Sequence, residues 1–141
     1  MITYKEVEES VGAWQKFLHK HPWQELIKNV EPKQTGCGPV YELENFLNRR
    51  GESFAIADMR QIKVAEPHYH PGDDIEIYLI IQGEGLVVVG GKEQRVEPGD
   101  AVVIPPNNAH FTIPNSELVL AAINIPPLKP ENYIKIDSLK S

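Results

Sequence analysis

Residues 68–85 read HYHPGDDIEIYLIIQGEG, and this stretch decides the fold and the chemistry that we expect. Side chains two residues apart on a strand point to the same face, so an extended backbone projects His68 and His70 side by side. The Pro-Gly-Asp-Asp link that follows is typical of a tight turn, which would fold the apolar run Ile75–Ile81 back beside them. Glu76, in that run, would then meet the two imidazoles.

Two imidazoles and a carboxylate in one small volume are a recurring way to hold a divalent transition metal ion. Imidazole suits Zn, Cu, Fe and Ni, and a carboxylate extends the choice to Mn, so the residues do not select one metal. Asp74 is an alternative to Glu76, because only three residues separate it from His70. His19 and His21 repeat the His-x-His pattern at the end of a predicted helix, and on a helix residues two apart differ by ~200° and cannot share a metal ion.

From Ser53 onward the chain consists of short apolar segments separated by turn signals. The pair Gly90-Gly91 fits the two-residue loop of a hairpin. Further breaks occur at residues 82–83, 97–100, 105–106, 114–116 and 126–127. Short strands with such regular turns, about seven to nine of them, indicate an all-β sandwich or barrel. No alternation of strands and helices suggests a parallel α/β fold.

Two helices are predicted before this pattern. Thr3 followed by Glu6 has the form of a capping box, and apolar residues at helical spacing predict a helix over about Tyr4–His19. A shorter helix would begin at Pro22. We expect both helices to pack on the outside of the β domain or across a dimer contact.

The chain has the length of one domain, which we divide into three segments. Residues 1–50 form a helical extension and a connecting segment, residues 51–127 form the β-barrel, and residues 128–141 form a tail. Residues 40–46 are ambiguous between strand and helix. In the tail, residues 134–136 have the apolar spacing of an edge strand.

The composition excludes several classes of function. The 14 Lys and Arg residues stand against 20 Asp and Glu residues, so we expect neither a nucleic-acid partner nor an anionic membrane surface. No apolar run approaches the ~20 residues of a membrane span, and the N-terminal residues lack a signal-peptide pattern. The only cysteine, Cys37, cannot form an intramolecular disulfide, and no neighbour along the chain would activate it. We therefore expect a cytoplasmic protein with an inert thiol.

Residues 68–85 resemble the first motif of the cupin superfamily, whose members are small jelly-roll barrels (double-stranded β-helices). That motif places a glutamate after His-x-His and a glycine beyond it, and four positions fit: His68, His70, Glu76 and Gly83. Two positions depart from the motif. Ile62 stands where the family has a leading glycine, and five residues rather than three or four separate His70 from Glu76.

The second cupin motif contains a glycine, a proline and a histidine, and Gly99, Pro105 and His110 fit it. Asn107 replaces a glycine of the motif, and asparagine can also adopt the left-handed conformation. Pro114 stands where the family has an asparagine. The resemblance covers about residues 53–127.

The resemblance implies an all-β cupin barrel that holds one divalent metal ion (Fe, Mn, Ni, Zn or Cu) through His68, His70, Glu76 and His110. Glu76 is favoured over Asp74 because its distance to Gly83 matches the motif. Three histidines and one carboxylate leave open coordination positions, which a substrate-binding metal requires. Tyr78, on the face of Glu76, is a candidate catalytic residue that could donate a proton, and a core role is its alternative.

The resemblance also implies a function. Cupins of this type include dioxygenases, isomerases and lyases that act on small polar molecules, so we expect a metal-dependent enzyme. The alternative is a non-catalytic protein that binds a metal or a small ligand. By analogy with the family we expect a homodimer that pairs through the N-terminal helices or the strand over residues 118–125.

Overall fold

The computed structural model describes residues 2–136 and contains a helical N-terminal extension followed by a β-barrel. Helix α1 spans Tyr4–Lys20 and helix α2 spans Trp23–Leu26. Nine strands lie in the described residues: β1 Lys33–Thr35, β2 Gly38–Leu43, β3 Ser53–Asp58, β4 His68–Tyr69, β5 Ile75–Val89, β6 Lys92–Val96, β7 Ala101–Ile104, β8 His110–Ile125 and β9 Ile134–Lys135. A short 3₁₀ helix, Pro130–Asn132, precedes β9. The expected all-β jelly roll with a short helical extension is confirmed.

The two long strands β5 and β8 form the centre of one curled antiparallel sheet. Their register runs from Ile75 opposite Ile125 to Val89 opposite His110. The outer edge of β5 pairs with β7 and then β6, while β8 pairs with β3 and with β4. Strands β2 and β1 extend the sheet beyond β3, and β9 extends it beyond β4.

Strand β5 continues through residues 82–83, where the sequence predicts a break between two strands. Register shifts between Ile80 and Gly85 absorb the glycines as β-bulges instead of ending the strand. Gly83 has a φ of 79°, and a Cβ at this position would lie 2.3 Å from the carbonyl oxygen of Ser116 on β8. The bend of the central strand therefore requires glycine at this point.

The residues of β3, β5 and β8 alternate between two hydrophobic cores because side chains alternate across a strand. The core inside the barrel includes Ala57, Tyr78, Ile80, Leu118 and Leu120. The core on the outer face includes Phe54, Ile56, Ile77, Leu79, Val119, Ala121 and Ile123. Both faces of the central strands are buried, which explains why their sequences are continuously apolar.

Helix α1 covers the outer face of the sheet, as the sequence predicts. The capping box is present, because Thr3 accepts from the backbone N–H of Glu6 while the Glu6 carboxylate accepts from the backbone N–H of Thr3. Trp14 is fully buried and stacks on Phe54 of β3, with ring centroids 4.4 Å apart. The helical extension is therefore part of the hydrophobic core of the domain.

A buried carboxylate anchors α1 to the barrel. Glu52 accepts hydrogen bonds from the Ser10 hydroxyl, from Trp14 Nε1 at 2.8 Å and from Arg49 Nε at 3.0 Å. Its side chain is almost fully buried. Because every donor reaches it from α1 or from the loop before β3, this side chain fixes the helix relative to the sheet.

Of the remaining fold predictions, one ambiguous segment is a strand, one predicted strand is confirmed and one predicted surface is wrong. Residues 40–43 of the ambiguous stretch belong to strand β2, which pairs with β3. Residues 134–135 form the expected edge strand. The strand over residues 118–125 is paired on both sides, so the prediction that it is a dimer surface was wrong. Residues 137–141 of the predicted tail lie outside the described residues. Neither helix is long and apolar enough to cross a membrane in the part of the chain that the structure describes.

Candidate metal centre

Three strands bring His68, His70, Glu76 and His110 together inside the barrel. His68 on β4 lies directly opposite His110 on β8, His70 follows β4, and Glu76 belongs to β5. Each of the four residues offers a ligand atom, and these atoms all lie within 4.8 Å of one another. All four side chains are buried. The predicted convergence of two separate segments on one point is therefore present.

Backbone carbonyl groups hold all three imidazole rings. The Nδ1 atom of His68 donates to the carbonyl oxygen of Glu66 at 2.8 Å, and that of His110 to Asn108 at 2.9 Å. His70 Nδ1 donates to the carbonyl of residue 132 at 2.8 Å. A carbonyl oxygen can only accept, so each Nδ1 carries the hydrogen and each neutral ring presents the lone pair of Nε2.

The lone pairs of two rings face a carboxylate. Glu76 Oε1 lies 3.0 Å from His110 Nε2 and 3.3 Å from His70 Nε2. With Nδ1 protonated, a neutral ring and a carboxylate oxygen are both acceptors at this distance, and their arrangement requires a positive charge between them. A metal ion or an added proton meets this requirement. The donor set therefore fits a divalent transition metal.

The electrostatics of the cluster agree with this requirement for positive charge. Burial, assisted by His110, lowers the pKa of His68 to about 4, which keeps this ring neutral and available as a ligand. Burial would also lower the pKa of His70, but the hydrogen bond and charge of Glu76 outweigh it and raise that pKa. Burial of Glu76 is likewise outweighed by His110 and His70, which hold its carboxyl pKa far below the usual range.

The other two candidates lie beside the cluster. Asp74 is buried, but its carboxylate accepts from Asn132 Nδ2 at 2.8 Å and is not among the clustered ligand atoms. Tyr78 lies in the inner core and also lines the cavity next to the cluster. Burial and the Glu76 carboxylate raise the pKa of Tyr78 well above its ordinary value, so its hydroxyl stays protonated.

A segment near the C-terminus completes the site, and no spacing pattern in the sequence predicts its contribution. Besides the carbonyl of Asn132 on His70, the ring of Tyr133 stacks on His68 at 4.1 Å between centroids. The Tyr133 hydroxyl donates to Glu66 Oε1 at 2.8 Å. We call residues 130–136 the C-terminal segment. It orients two of the three histidines.

The cluster opens into a cavity of about 140 Å³. Apolar side chains form most of its wall, including Val40, Ala55, Ala57, Met59, Leu120, Ala122 and Leu128. Cys37 also lines it, and burial raises the pKa of this thiol to about 11, as expected for an inert cysteine. Lys33, Thr35 and Glu42 belong to the same lining.

A family model described as a cupin domain matches residues 58–125, which contain all four residues of the cluster. The chain belongs to the cupin superfamily. This cupin is 29% identical over 109 residues to the glucose-6-phosphate isomerase of Pyrococcus abyssi, a match that covers 69% of the chain and 56% of the relative. The chain thus spans about half the length of that isomerase.

Two further similarities are more limited. The gentisate 1,2-dioxygenase of a Haloferax species is 32% identical over 63 residues, which are 45% of this chain and 17% of the relative. The structure resembles that of Pac13, a nucleoside dehydratase of Streptomyces, with a TM-score of 0.67 and 8% identity over 78% of this chain and 87% of that chain. At this identity the resemblance concerns the fold alone.

Proposed function

We propose that this cupin binds one divalent transition metal ion through His68, His70, Glu76 and His110 and acts on a small molecule in the adjoining cavity. The observation that carries the proposal is the fixed orientation and tautomer of the three imidazole rings. All three Nδ1 atoms are occupied by backbone carbonyls, so three Nε2 lone pairs and a carboxylate converge. Orientation of metal-binding imidazoles through the second nitrogen is general for such sites.

A bound metal would supply Lewis-acid chemistry to a carbonyl or hydroxyl oxygen of the substrate. The chain itself contributes three things. The histidines and Glu76 are preoriented, the apolar wall limits the access of water, and Tyr78 holds a proton beside Glu76. In the proposed reaction the Tyr78 hydroxyl, which stays protonated, donates a hydrogen bond at the edge of the site.

We infer an isomerase or lyase reaction in preference to a dioxygenase reaction. The isomerase of Pyrococcus abyssi matches 69% of this chain, whereas the dioxygenase of Haloferax matches 45%. A dioxygenase remains the second candidate, because the ligand set also suits iron.

Metal content tests the proposal directly. The purified protein, loaded with Co²⁺ or Mn²⁺ and dialysed, should hold one ion per chain by elemental analysis. His68→Ala and His110→Ala should each weaken binding by at least about 100-fold, because loss of a ligand exceeds the loss of an orienting partner. His19→Ala is the matched control, since His19 is exposed on α1. Full metal content in both ligand variants, with unchanged circular dichroism, would refute the proposal.

The acidic ligand is tested by a second pair of variants. Glu76→Gln removes the charge from the cluster and should strongly weaken metal binding. Asp74→Asn should leave the stoichiometry of one ion per chain, because the Asp74 carboxylate is not among the clustered ligand atoms. The reverse result would assign the ligand to Asp74.

We also propose a cytoplasmic homodimer. The single cysteine is a buried free thiol, which suits a reducing compartment. Tyr4 on α1 is 80% exposed, which supports pairing through the N-terminal helices. Light scattering should give twice the mass of one chain, and a monomer mass at micromolar concentration would contradict the dimer.

A further inference from the structure

Asn124 is a buried polar residue whose side-chain nitrogen has no hydrogen-bond partner in the part of the chain that the structure describes. It belongs to β8, lies directly opposite Glu76 of β5, and is only 3% exposed. Directly opposed residues of an antiparallel pair have neighbouring side chains on one face, so Asn124 flanks the acidic residue of the cluster. Its Nδ2 atom has no hydrogen-bond partner among the described residues, and the side chain lines the cavity.

A buried donor without an acceptor destabilises the fold, so its presence beside a cavity points to an acceptor that arrives with a ligand. Thr112, also on β8, provides a comparison. Its hydroxyl is equally buried and unpartnered among the described residues, but it does not line this cavity. Of these two atoms, Asn124 Nδ2 alone is placed to meet a molecule at the cluster.

The cavity restricts the rest of that molecule. Its volume of about 140 Å³ is well below the ~300 Å³ of an ordinary ligand pocket. Among the described residues, Lys33 is the only lysine or arginine that lines the cavity. Its side chain is 64% exposed and forms an ion pair with Glu42 at 3.0 Å. Neither a phosphate nor a second carboxylate would find a buried cation here, so a sugar phosphate fits this cavity poorly.

The charge of the cluster limits the remaining choice. A divalent ion with the Glu76 carboxylate and three neutral imidazoles leaves one net positive charge at the ligand atoms. A single negative charge on the substrate would neutralise it, and buried charges are stable only when they are paired. Two neighbouring oxygen atoms would fill open positions that this ligand set leaves on a six-coordinate metal.

We propose that Asn124 donates a hydrogen bond to the substrate, and that the substrate is a small monocarboxylate with an adjacent oxo or hydroxy oxygen and a short apolar side chain. The carboxylate oxygen accepts from Asn124 Nδ2, and the apolar part contacts Met59, Leu120 and Ala122. This inference rests on the proposed metal centre. It makes Asn124 a specificity-determining residue of that centre.

The test uses the Co²⁺-loaded protein and four probes: 4-methyl-2-oxopentanoate, pyruvate, 2-oxoglutarate and azide. Binding is measured by calorimetry and by the change in the visible absorption of Co²⁺. We expect 4-methyl-2-oxopentanoate to bind at least about tenfold more tightly than 2-oxoglutarate, whose second carboxylate would be buried without a cation. Pyruvate should fall between them, because it has less apolar surface to bury.

Asn124→Ala should weaken the binding of 4-methyl-2-oxopentanoate by about tenfold or more, since the hydrogen bond goes to a charged group. Azide, which carries no carboxylate for Asn124, should bind as before, and this difference separates a contact with the substrate from a general change in the site. Asn124→Asp should weaken the oxo acid further by charge repulsion. Thr112→Val, the matched control, should change neither probe.

The outcomes distinguish the two proposals. If the wild-type protein holds no Co²⁺, the proposed metal centre fails, and this inference fails with it. If Co²⁺ is held but Asn124→Ala and Asn124→Asp bind the oxo acid with wild-type affinity, the role of Asn124 is refuted while the metal centre stands. Equal affinity for 2-oxoglutarate and 4-methyl-2-oxopentanoate would overturn the substrate class.

Discussion

Replacement of Tyr133 tests whether the C-terminal segment is part of the metal centre. Tyr133→Ala removes the stack on His68 and weakens the attachment of the neighbouring residue, whose carbonyl holds His70. A stacked pair contributes about 0.5–1.5 kcal/mol, and a hydrogen bond about 0.5–1.5 kcal/mol. If the stack and the His70 hydrogen bond are both lost, the expected cost is about 1–3 kcal/mol, which corresponds to a metal affinity about 5- to 150-fold weaker.

Tyr133→Phe is the control for this prediction. Phenylalanine keeps the ring on His68 but loses the hydrogen bond to Glu66, which lies at the edge of the site. We expect a change in metal affinity of less than about threefold, within the low end of a single hydrogen bond. Metal affinity is measured by competition with a chromophoric chelator at fixed pH, and thermal unfolding of the metal-free proteins confirms that each variant folds.

Two results would refute the reasoning. If Tyr133→Ala binds metal within about threefold of wild type, the stack and the docked segment do not orient the rings to any useful degree. If Tyr133→Phe loses as much affinity as Tyr133→Ala, the hydroxyl and Glu66 carry the effect, and the ring on His68 does not.

Further predictions concern the anchor of α1 and the buried thiol. Glu52→Ala should lower the free energy of unfolding by about 3 kcal/mol in urea denaturation, because the donors of Ser10, Trp14 and Arg49 lose their shared acceptor. The control is Glu42→Ala, which removes a surface ion pair and should cost less than about 1 kcal/mol. Cys37 should react with iodoacetamide at pH 8 about 100-fold more slowly than an exposed thiol, since its pKa of about 11 leaves little thiolate; a rate equal to that of glutathione would contradict its burial. The raised pKa of Cys37 contributes stability that is complete below the unfolded pKa of 9.0 and is lost as the pH rises through about 11. Between these two pH values the free energy of unfolding of wild type should therefore fall by about 2–3 kcal/mol more than that of Cys37→Ala. Parallel profiles of unfolding free energy against pH would argue against the shift.

The sequence predicted much of the fold because local patterns determine it. The turn between His70 and Ile75, the Gly90-Gly91 loop and the capping box at Thr3 each depend on a few adjacent residues. The convergence of the cluster followed from the period of two along a strand and from the cupin motifs. The left-handed conformation expected at Asn107 is also present, with a φ of 63°.

The sequence did not predict the features that depend on the path of distant segments. Asn132 lies 62 residues beyond His70, and no spacing rule relates the two. The face of Asn124 was equally undetermined, because both faces of β8 are apolar and alternation alone does not say which one is inside. The merging of two predicted strands into β5 depended on bulges that tertiary packing against β8 stabilises.

The acceptors that hold the three imidazoles have one property in common: they are main-chain atoms, contributed by residues 66, 108 and 132. No replacement of a side chain at those positions deletes such an oxygen. The path of the main chain, and not the identity of these three residues, therefore determines which ring nitrogen carries the hydrogen. Sequence drift at these three positions can therefore proceed while the ring nitrogens keep their inward aim, and only a local change of chain path would turn them away.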